Sequence, residues 1–198
     1  MEKRIAEHLK FSDSTLIPLI EKFPDIRLIP SNDHFVDLAS AIVCQQLSDK
    51  AGAAIWKRFE ALFIGKKVTP EYVTNKSIEE LRTSGISNSK AQYIKNVADA
   101  FLQHLVTPEK FSGMDDENII TELVQIKGVG RWTAEMFCIF SLGREDIFST
   151  GDLGLSNALA KLYGKTKPYA KSTMERIGKK WSPYRSYASL LLWKSLEK

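Results

Sequence analysis

Apolar side chains recur along this chain at intervals of three and four residues, not two. In Phe35-Val36-Asp37-Leu38-Ala39-Ser40-Ala41-Ile42-Val43 and in Ala54-Ile55-Trp56-Lys57-Arg58-Phe59-Glu60-Ala61-Leu62-Phe63 they line one face of a helix. Helix starts are marked by capping residues. Thr69-Pro70, Thr107-Pro108 and Ser182-Pro183 each place a hydroxyl before a proline suited to the first helical position, and Asn32-Asp33 and Asp115-Asp116 supply further caps. Gly65, Gly85, Gly113, Gly143 and Gly164 stand where helices end, as left-handed terminators. The pattern predicts about ten short helices. Ile26-Arg27-Leu28-Ile29 is too short to bring in a sheet, and there is no repeat period, heptad array or low-complexity linker, so the expected class is all-α.

A chain of 198 residues with 43% hydrophobic positions can bury a core, which excludes a disordered segment and a disulfide-stapled miniprotein. No apolar run approaches the roughly 18 residues of a membrane span. The charged start, Met1-Glu2-Lys3-Arg4, is unlike a secretory signal, so the expected location is cytoplasmic, at a bacterial or archaeal nucleoid, or nuclear in a eukaryote. Cys44 and Cys138 sit in apolar segments and read as buried thiols, and His8, His34 and His104 are scattered, which gives no side-chain metal site. Charge is uneven. Residues 161–198 hold ten Lys or Arg against two Glu, net +8, while residues 1–160 hold 18 against 22 acids, net −4. Such a basic cluster is either a solvated helical face or a polyanion-binding surface.

The segment richest in chemistry is Leu123-Val124-Gln125-Ile126-Lys127-Gly128-Val129-Gly130-Arg131-Trp132-Thr133-Ala134-Glu135-Met136-Phe137. One helix ends at a Gly-Val-Gly turn and another, spanning 131–141, follows at once. Glycines permit backbone angles closed to other residues and a close approach by another backbone, and the N–H groups of the turn and helix start then face outward as an anion cradle. An ordinary glycine-capped helix connection has the same local sequence.

The wider pattern separates these readings. Ile126 through Glu135, then Phe140-Ser141-Leu142-Gly143-Arg144, then Asp152-Leu153-Gly154-Leu155, resembles the helix-hairpin-helix DNA glycosylases, and within them the 3-methyladenine DNA glycosylase II branch. Ala41-Ile42-Val43-Cys44-Gln45-Gln46-Leu47-Ser48 and Trp181-Ser182-Pro183-Tyr184-Arg185-Ser186-Tyr187-Ala188 with Trp193 extend the likeness over roughly residues 30 to 195. The resemblance implies a two-lobed helical body without the amino-terminal β domain of some members. One lobe would span about 31–145, the other would combine 1–30 with 146–198, and the base would lie in the cleft between them.

It also implies site residues. Asp152 matches the catalytic aspartate, although from its own context it reads as the N-cap of the helix that follows. A fixed carboxylate suits glycosidic cleavage, which builds positive charge on the sugar and needs an oriented water. Trp132 stands where lyase-competent relatives carry a Schiff-base lysine, so the expected enzyme is monofunctional, and two cysteines cannot hold the four-thiolate iron–sulfur cluster of those relatives. Trp132, Met136 and Trp193 match the base pocket, with Met136 replacing an aromatic of some members. Either tryptophan alone would also suit a core. Lys127, Gly128, Val129, Gly130, Arg131 and Thr133 match the DNA-binding hairpin. Gln46, with Leu47 next, matches the wedge that fills the gap left by a flipped base, and a solvated helix end is the other reading. Carbonyls of Val124, Ile126 and Val129 match a monovalent cation site, sodium or potassium, and no other cofactor is implied. Lys165, Lys167, Lys171 and Lys179 are candidate phosphate contacts.

The expected function is hydrolytic removal of alkylated purines, 3-methyladenine above all and 7-methylguanine beside it, from double-stranded DNA by a monomer, in base excision repair. Three alternatives remain open at this point: the same fold acting on hypoxanthine, uracil or an oxidised base, a hairpin module that binds DNA without chemistry, and an all-α protein-interaction domain, which would show no salt-dependent DNA affinity.

Overall fold

Side-chain caps explain where most of the helices begin. The computed structural model describes residues 1–197, and the side chains of all but Asp49 and Pro108 among them. Helix α1 (Lys3–Ser12) leads to α2 (Ile17–Lys22) through a 3₁₀ turn capped by Asp13. Helix α3 (His34–Cys44) starts at Asp33, whose carboxylate accepts from Val36 N–H at 3.2 Å. Ser48, Thr69, Ser77, Ser87, Thr107 and Asp115 cap in turn α4 (Asp49–Glu60), α5 (Pro70–Thr74), α6 (Ile78–Arg82), α7 (Asn88–Leu102), α8 (Pro108–Ser112) and α9 (Asp116–Leu123). Each cap satisfies one of the N–H groups that a helix start leaves unbonded. Helix α10 (Arg131–Met136) begins at Gly130 without a side-chain cap, and α11 (Leu153–Leu162) begins at Asp152. Helices α12 (Lys171–Gly178) and α13 (Arg185–Lys194) complete the chain.

The described residues thus form thirteen α-helices, more than the periodicity suggests. The surplus consists of single turns such as α5, α6 and α8, five residues each, which are too short to show a repeat. No strand occurs among the described residues. Three local expectations need correction. Gly65, Gly85, Gly143 and Gly164 have positive φ, but Gly113 ends α8 at φ −99°. Ser182 caps nothing: its peptide bond to Pro183 is cis, its hydroxyl donates to Asp146 Oδ2 at 2.7 Å, and α13 begins only at Arg185. The helix expected over 131–141 is α-helical only to Met136. Phe137–Ser141 widens into a π turn, with Leu142 N–H donating to Phe137 O at 3.1 Å.

The chain divides into two units, residues 1–30 with 143–198, and residues 31–142. In the first, Ile5, Leu9, Leu16, Leu155, Leu159, Trp181, Leu191 and Leu192 form the buried core, and α11 packs on α13. Residues 144 and 145 are tied to this unit because Ser186 donates its hydroxyl to Arg144 O and its N–H to Glu145 O. In the second unit α3 packs against α4 and α7, and α9 against α10, around Leu38, Ile42, Phe59, Ile94, Val97, Ile119 and Leu123. No helix of the described residues is long and apolar enough to cross a membrane.

Asp13 anchors the first unit beyond its capping role. It is 7% exposed and accepts from Thr15 N–H, Thr15 Oγ1, Tyr163 OH and Trp181 Nε1. Burial pushes its carboxyl up, but the hydrogen bonds together outweigh burial and hold it below its ordinary 3.8. A depressed carboxyl stabilises the fold above the usual carboxylate range, and that contribution is lost as pH falls through the folded-state value. Asp13→Asn puts an NH₂ group against donors and is expected to cost about 2 kcal/mol at neutral pH. Urea denaturation should also show a shallower loss of stability on acidification in the variant than in the wild type.

Candidate functional site

In the first unit, the turn before α11 fixes a carboxylate. Asp152 is half-buried, and its Oδ1 accepts from Leu155 N–H at 2.7 Å and from Trp193 Nε1–H at 3.1 Å. One bond is local, a helix cap, and the other comes from α13, 41 residues away. Two donors on one oxygen restrict the rotation of the group. Gly154 leaves room for this arrangement, since a Cβ there would stand 3.0 Å from Asp152 Oδ1 and 3.6 Å from the Trp193 ring. The capping expectation for Asp152 therefore holds, and Trp193 has a polar tie to it that no sequence pattern signals.

The second unit holds the hairpin. Gly128 has φ +110°, closed to most side chains, and a Cβ there would stand 2.2 Å from Tyr93 Cγ on α7. Val129 is buried and donates its N–H to Ile126 O at 2.9 Å, Gly130 is extended, and the Lys127 side chain is exposed while its carbonyl accepts from Asn96 Nδ2 at 2.9 Å. Trp132 stands 37% exposed at the start of α10, and Met136 is buried at its end. Val124, whose carbonyl is a candidate cation ligand, is exposed, and Ile126 is half-buried.

Two expected DNA contacts are turned to structural use. Thr133 is 2% exposed, and its Oγ1 accepts from Gln45 Nε2 at 2.9 Å, so it faces the interior. The Arg131 guanidinium donates to Glu117 at 3.0 and 2.5 Å and to Glu135 at 2.9 Å. Glu135 is only 6% exposed, and an unpaired charge there would be costly. Arg131 thus pairs with two carboxylates while its side chain stays exposed, and they hold it above its ordinary value, the Glu117 bond most of all.

Braces from elsewhere in the unit were not legible in the hairpin itself. Gln45 also donates to Gly128 O at 3.3 Å, joining the end of α3 to the turn. Lys90 donates to Val43 O at 2.8 Å and Gln45 O at 2.7 Å, satisfying carbonyls at the α3 C-terminus, and burial pushes its ammonium down. Directly after these fixed points Gln46 is exposed at φ +58°, a left-handed conformation that costs a residue with a Cβ about 1–2 kcal/mol. Leu47 beside it is 38% exposed. Cys138 is buried as expected, but Cys44 is only half-buried because it ends α3 at this same surface. Of the scattered histidines, His34 bonds Ser141 Oγ at 2.7 Å, and no group of metal-ligating side chains occurs among the described residues. Lys165, Lys167, Lys171 and Lys179 are all exposed in the first unit.

The sequence profile of the HhH-GPD superfamily of base excision DNA repair proteins matches residues 39–183. DNA-3-methyladenine glycosylase 1 of Schizosaccharomyces pombe is 33% identical over 182 residues, 91% of this chain and 80% of that protein. DNA-3-methyladenine glycosylase 2 of Escherichia coli is 26% identical, over 86% of this chain and 60% of the other. Among solved structures, the S. pombe 3-methyladenine DNA glycosylase in complex with abasic DNA superposes with a TM-score of 0.87 at 30% identity, covering 98% of this chain and 96% of that one. The DNA-3-methyladenine glycosidase of Bacillus halodurans gives 0.84 at 37% identity, covering 98% and 89%. With a profile match over more than half its length and a fold shared almost end to end, the chain belongs to the HhH-GPD superfamily of base excision DNA repair proteins.

Proposed function

We propose that this protein is a monofunctional DNA glycosylase that hydrolyses the N-glycosidic bond of alkylated purines, 3-methyladenine foremost and 7-methylguanine with it, in duplex DNA. The observation that carries the reading is Asp152, a half-buried carboxylate held by Leu155 N–H and Trp193 Nε1–H. The glycosylase names of relatives that match most of the chain support the substrate class.

The chemistry follows from the groups present. An alkylated purine carries a positive charge, so the bond from C1′ to the ring nitrogen breaks with its electron pair going to the base, which leaves neutral. Positive charge appears on the sugar, where the Asp152 carboxylate stabilises it. Water then adds to C1′ and gives up a proton, for which the carboxylate is the acceptor. Trp132 occupies the place of an amine nucleophile, so water attacks directly and no Schiff base forms. Its exposed indole offers a cationic base a stacking surface worth about 0.5–2 kcal/mol.

Gln46 is the proposed wedge, with Leu47 beside it, and its strained backbone directly after the braced Gln45 supports that role. Lys127, Gly128 and Gly130 present main chain and positive charge to a phosphate, and the exposed tail lysines add sequence-independent attraction. The carbonyls of Val124, Ile126 and Val129 are neutral oxygens of the kind that would hold a monovalent cation, and Ile126 O keeps a second lone pair beside its bond from Val129 N–H. Such an ion would add positive charge beside the phosphate. The activity places the protein with chromosomal DNA, in a nucleoid or nucleus.

Incubation with methylated duplex DNA and chromatography of the freed bases tests the reading. Released 3-methyladenine and 7-methylguanine, with the abasic strand left uncut, are expected. Release of hypoxanthine or uracil instead, or of no base at all, would overturn it.

A further inference from the structure

The second unit contains a cavity of about 200 Å³ between α3 and the π turn, lined by Asp37, Ala41, Cys44, Met136, Phe137, Phe140 and Ser141 among others. Pockets for drug-sized ligands begin near 300 Å³, so this one suits a single small ring system. Its walls are mostly apolar or soft sulfur, and Asp37 brings a carboxylate to them. Asp37 is half-buried, and its Oδ2 accepts from Ser141 Oγ at 2.5 Å. Ser141 is fully buried and its hydroxyl has one proton, which goes to Asp37, so His34 Nδ1 is the donor in the 2.7 Å contact with Ser141 Oγ. The arrangement fixes one carboxylate oxygen. Among the described residues no lysine or arginine pairs with Asp37, so its negative charge stands uncompensated beside an apolar cavity.

Helix geometry accounts for only part of this. An acid in the first turn of α3 suits the helix dipole. That benefit is equally available to a carboxylate facing solvent, and it requires neither the buried Ser141 relay nor a place on a cavity wall. A carboxylate with no lysine or arginine partner beside apolar walls attracts a cation and gains much less from a neutral ring of the same shape.

We infer that this cavity receives a planar cationic heterocycle and that Asp37 is its charge-selecting residue. The inference rests on the alkylpurine reading for its biological ligand, because a methylated purine in DNA is such a cation. It adds to stacking on Trp132 a second discrimination between a charged base and a normal base of nearly equal size.

The test uses the full chain with its methionine methyl groups labelled for NMR, the Met136 signal being assigned with Met136→Leu. Two probes are titrated: 3,9-dimethyladeninium, which is cationic, and 9-methyladenine, its neutral counterpart. The cation should shift the Met136 methyl at a concentration at least about tenfold lower than the neutral ring, and Asp37→Asn should remove that preference. Equal binding of the two probes, or a preference that survives Asp37→Asn, would overturn the inference. Equal weakening of both probes in the variant would also overturn it, as the mark of a merely structural role. A second measurement is single-turnover release of 7-methylguanine from methylated duplex, expected to fall about tenfold in Asp37→Asn with melting temperature unchanged. A wild-type protein that binds the cation at Met136 yet frees no methylated base would sink the alkylpurine reading and leave the pocket assignment standing.

Discussion

Asp152→Asn is expected to stop base release while leaving the fold and DNA binding in place. Asparagine caps helices about as well as aspartate, and its carbonyl oxygen can still accept from Leu155 N–H and Trp193 Nε1–H. Stability should therefore change by only a few tenths of a kcal/mol. What the substitution removes is the negative charge that stabilises the sugar cation and the base that takes the proton from water. Loss of a general base alone lowers rate by about 10²–10⁴-fold, and loss of charge stabilisation adds to it. Single-turnover release from methylated duplex should fall at least about 10²-fold, with an unchanged melting curve and unchanged retention of DNA in a gel. Asp152→Ala separates the two roles of the residue, because it also loses the cap and should melt lower by about 1 kcal/mol of stability. If the asparagine variant released methylated base at the wild-type rate, the assignment of Asp152 would be wrong.

Asp152 also shows how far sequence reasoning reaches in this protein. Its capping bond to Leu155 spans three residues and follows from residue type and position, as do the caps at Asp33, Ser77 and Thr107. Its bond from Trp193 crosses 41 residues and depends on how α11 packs on α13, which no local pattern encodes. The hairpin divides the same way. The glycines announce a turn with unusual backbone angles, and Gly128 has one. What holds the turn in place comes from Gln45, Tyr93 and Asn96, residues that no local pattern ties to the hairpin and that lie 83, 35 and 31 positions from their partners. Thr133 and Arg131 look like DNA contacts in the sequence because a hydroxyl and a guanidinium follow the turn. Thr133 faces the interior because it bonds Gln45, while Arg131 pairs with Glu117 and Glu135 and stays exposed.

The class of fold was legible for a related reason. Amphipathic period is a local property, and long helices such as α3, α4 and α7 show it, whereas α13 is buried nearly all round. The π turn at Phe137–Ser141 was not, since its residues continue the apolar pattern of α10, and the widening is fixed by Ser141, whose hydroxyl reaches Asp37 and whose carbonyl accepts from Ser31. Residues 104 and 110 positions apart thus decide the shape of a five-residue segment.

Gly128→Ala should be among the most destabilising single changes in the chain. The backbone at φ +110° disfavours any residue with a Cβ, at about 1–2 kcal/mol. The added methyl would also stand 2.2 Å from Tyr93 Cγ and 2.3 Å from Tyr93 Cβ. A ring can swing aside, but a Cβ is anchored to the backbone of α7, so truncating Tyr93 to alanine would not relieve the clash. The hairpin or α7 must move, which adds about 1–3 kcal/mol of overpacking. A total of about 2–5 kcal/mol corresponds to a fall in melting temperature of about 10 °C for a chain of this size. Gly65→Ala is the control, because it has a similar positive φ, +68°, and nothing within 4 Å of the added carbon. It should cost only the backbone part, about 1 kcal/mol. Displacement of the turn would also draw Gly128 O away from Gln45, so DNA retention should weaken in Gly128→Ala and not in Gly65→Ala. Equal melting temperatures for the two variants would mean that the close approach of Tyr93 to the turn does not shape the hairpin, and the case for a rigid phosphate cradle would fail with it.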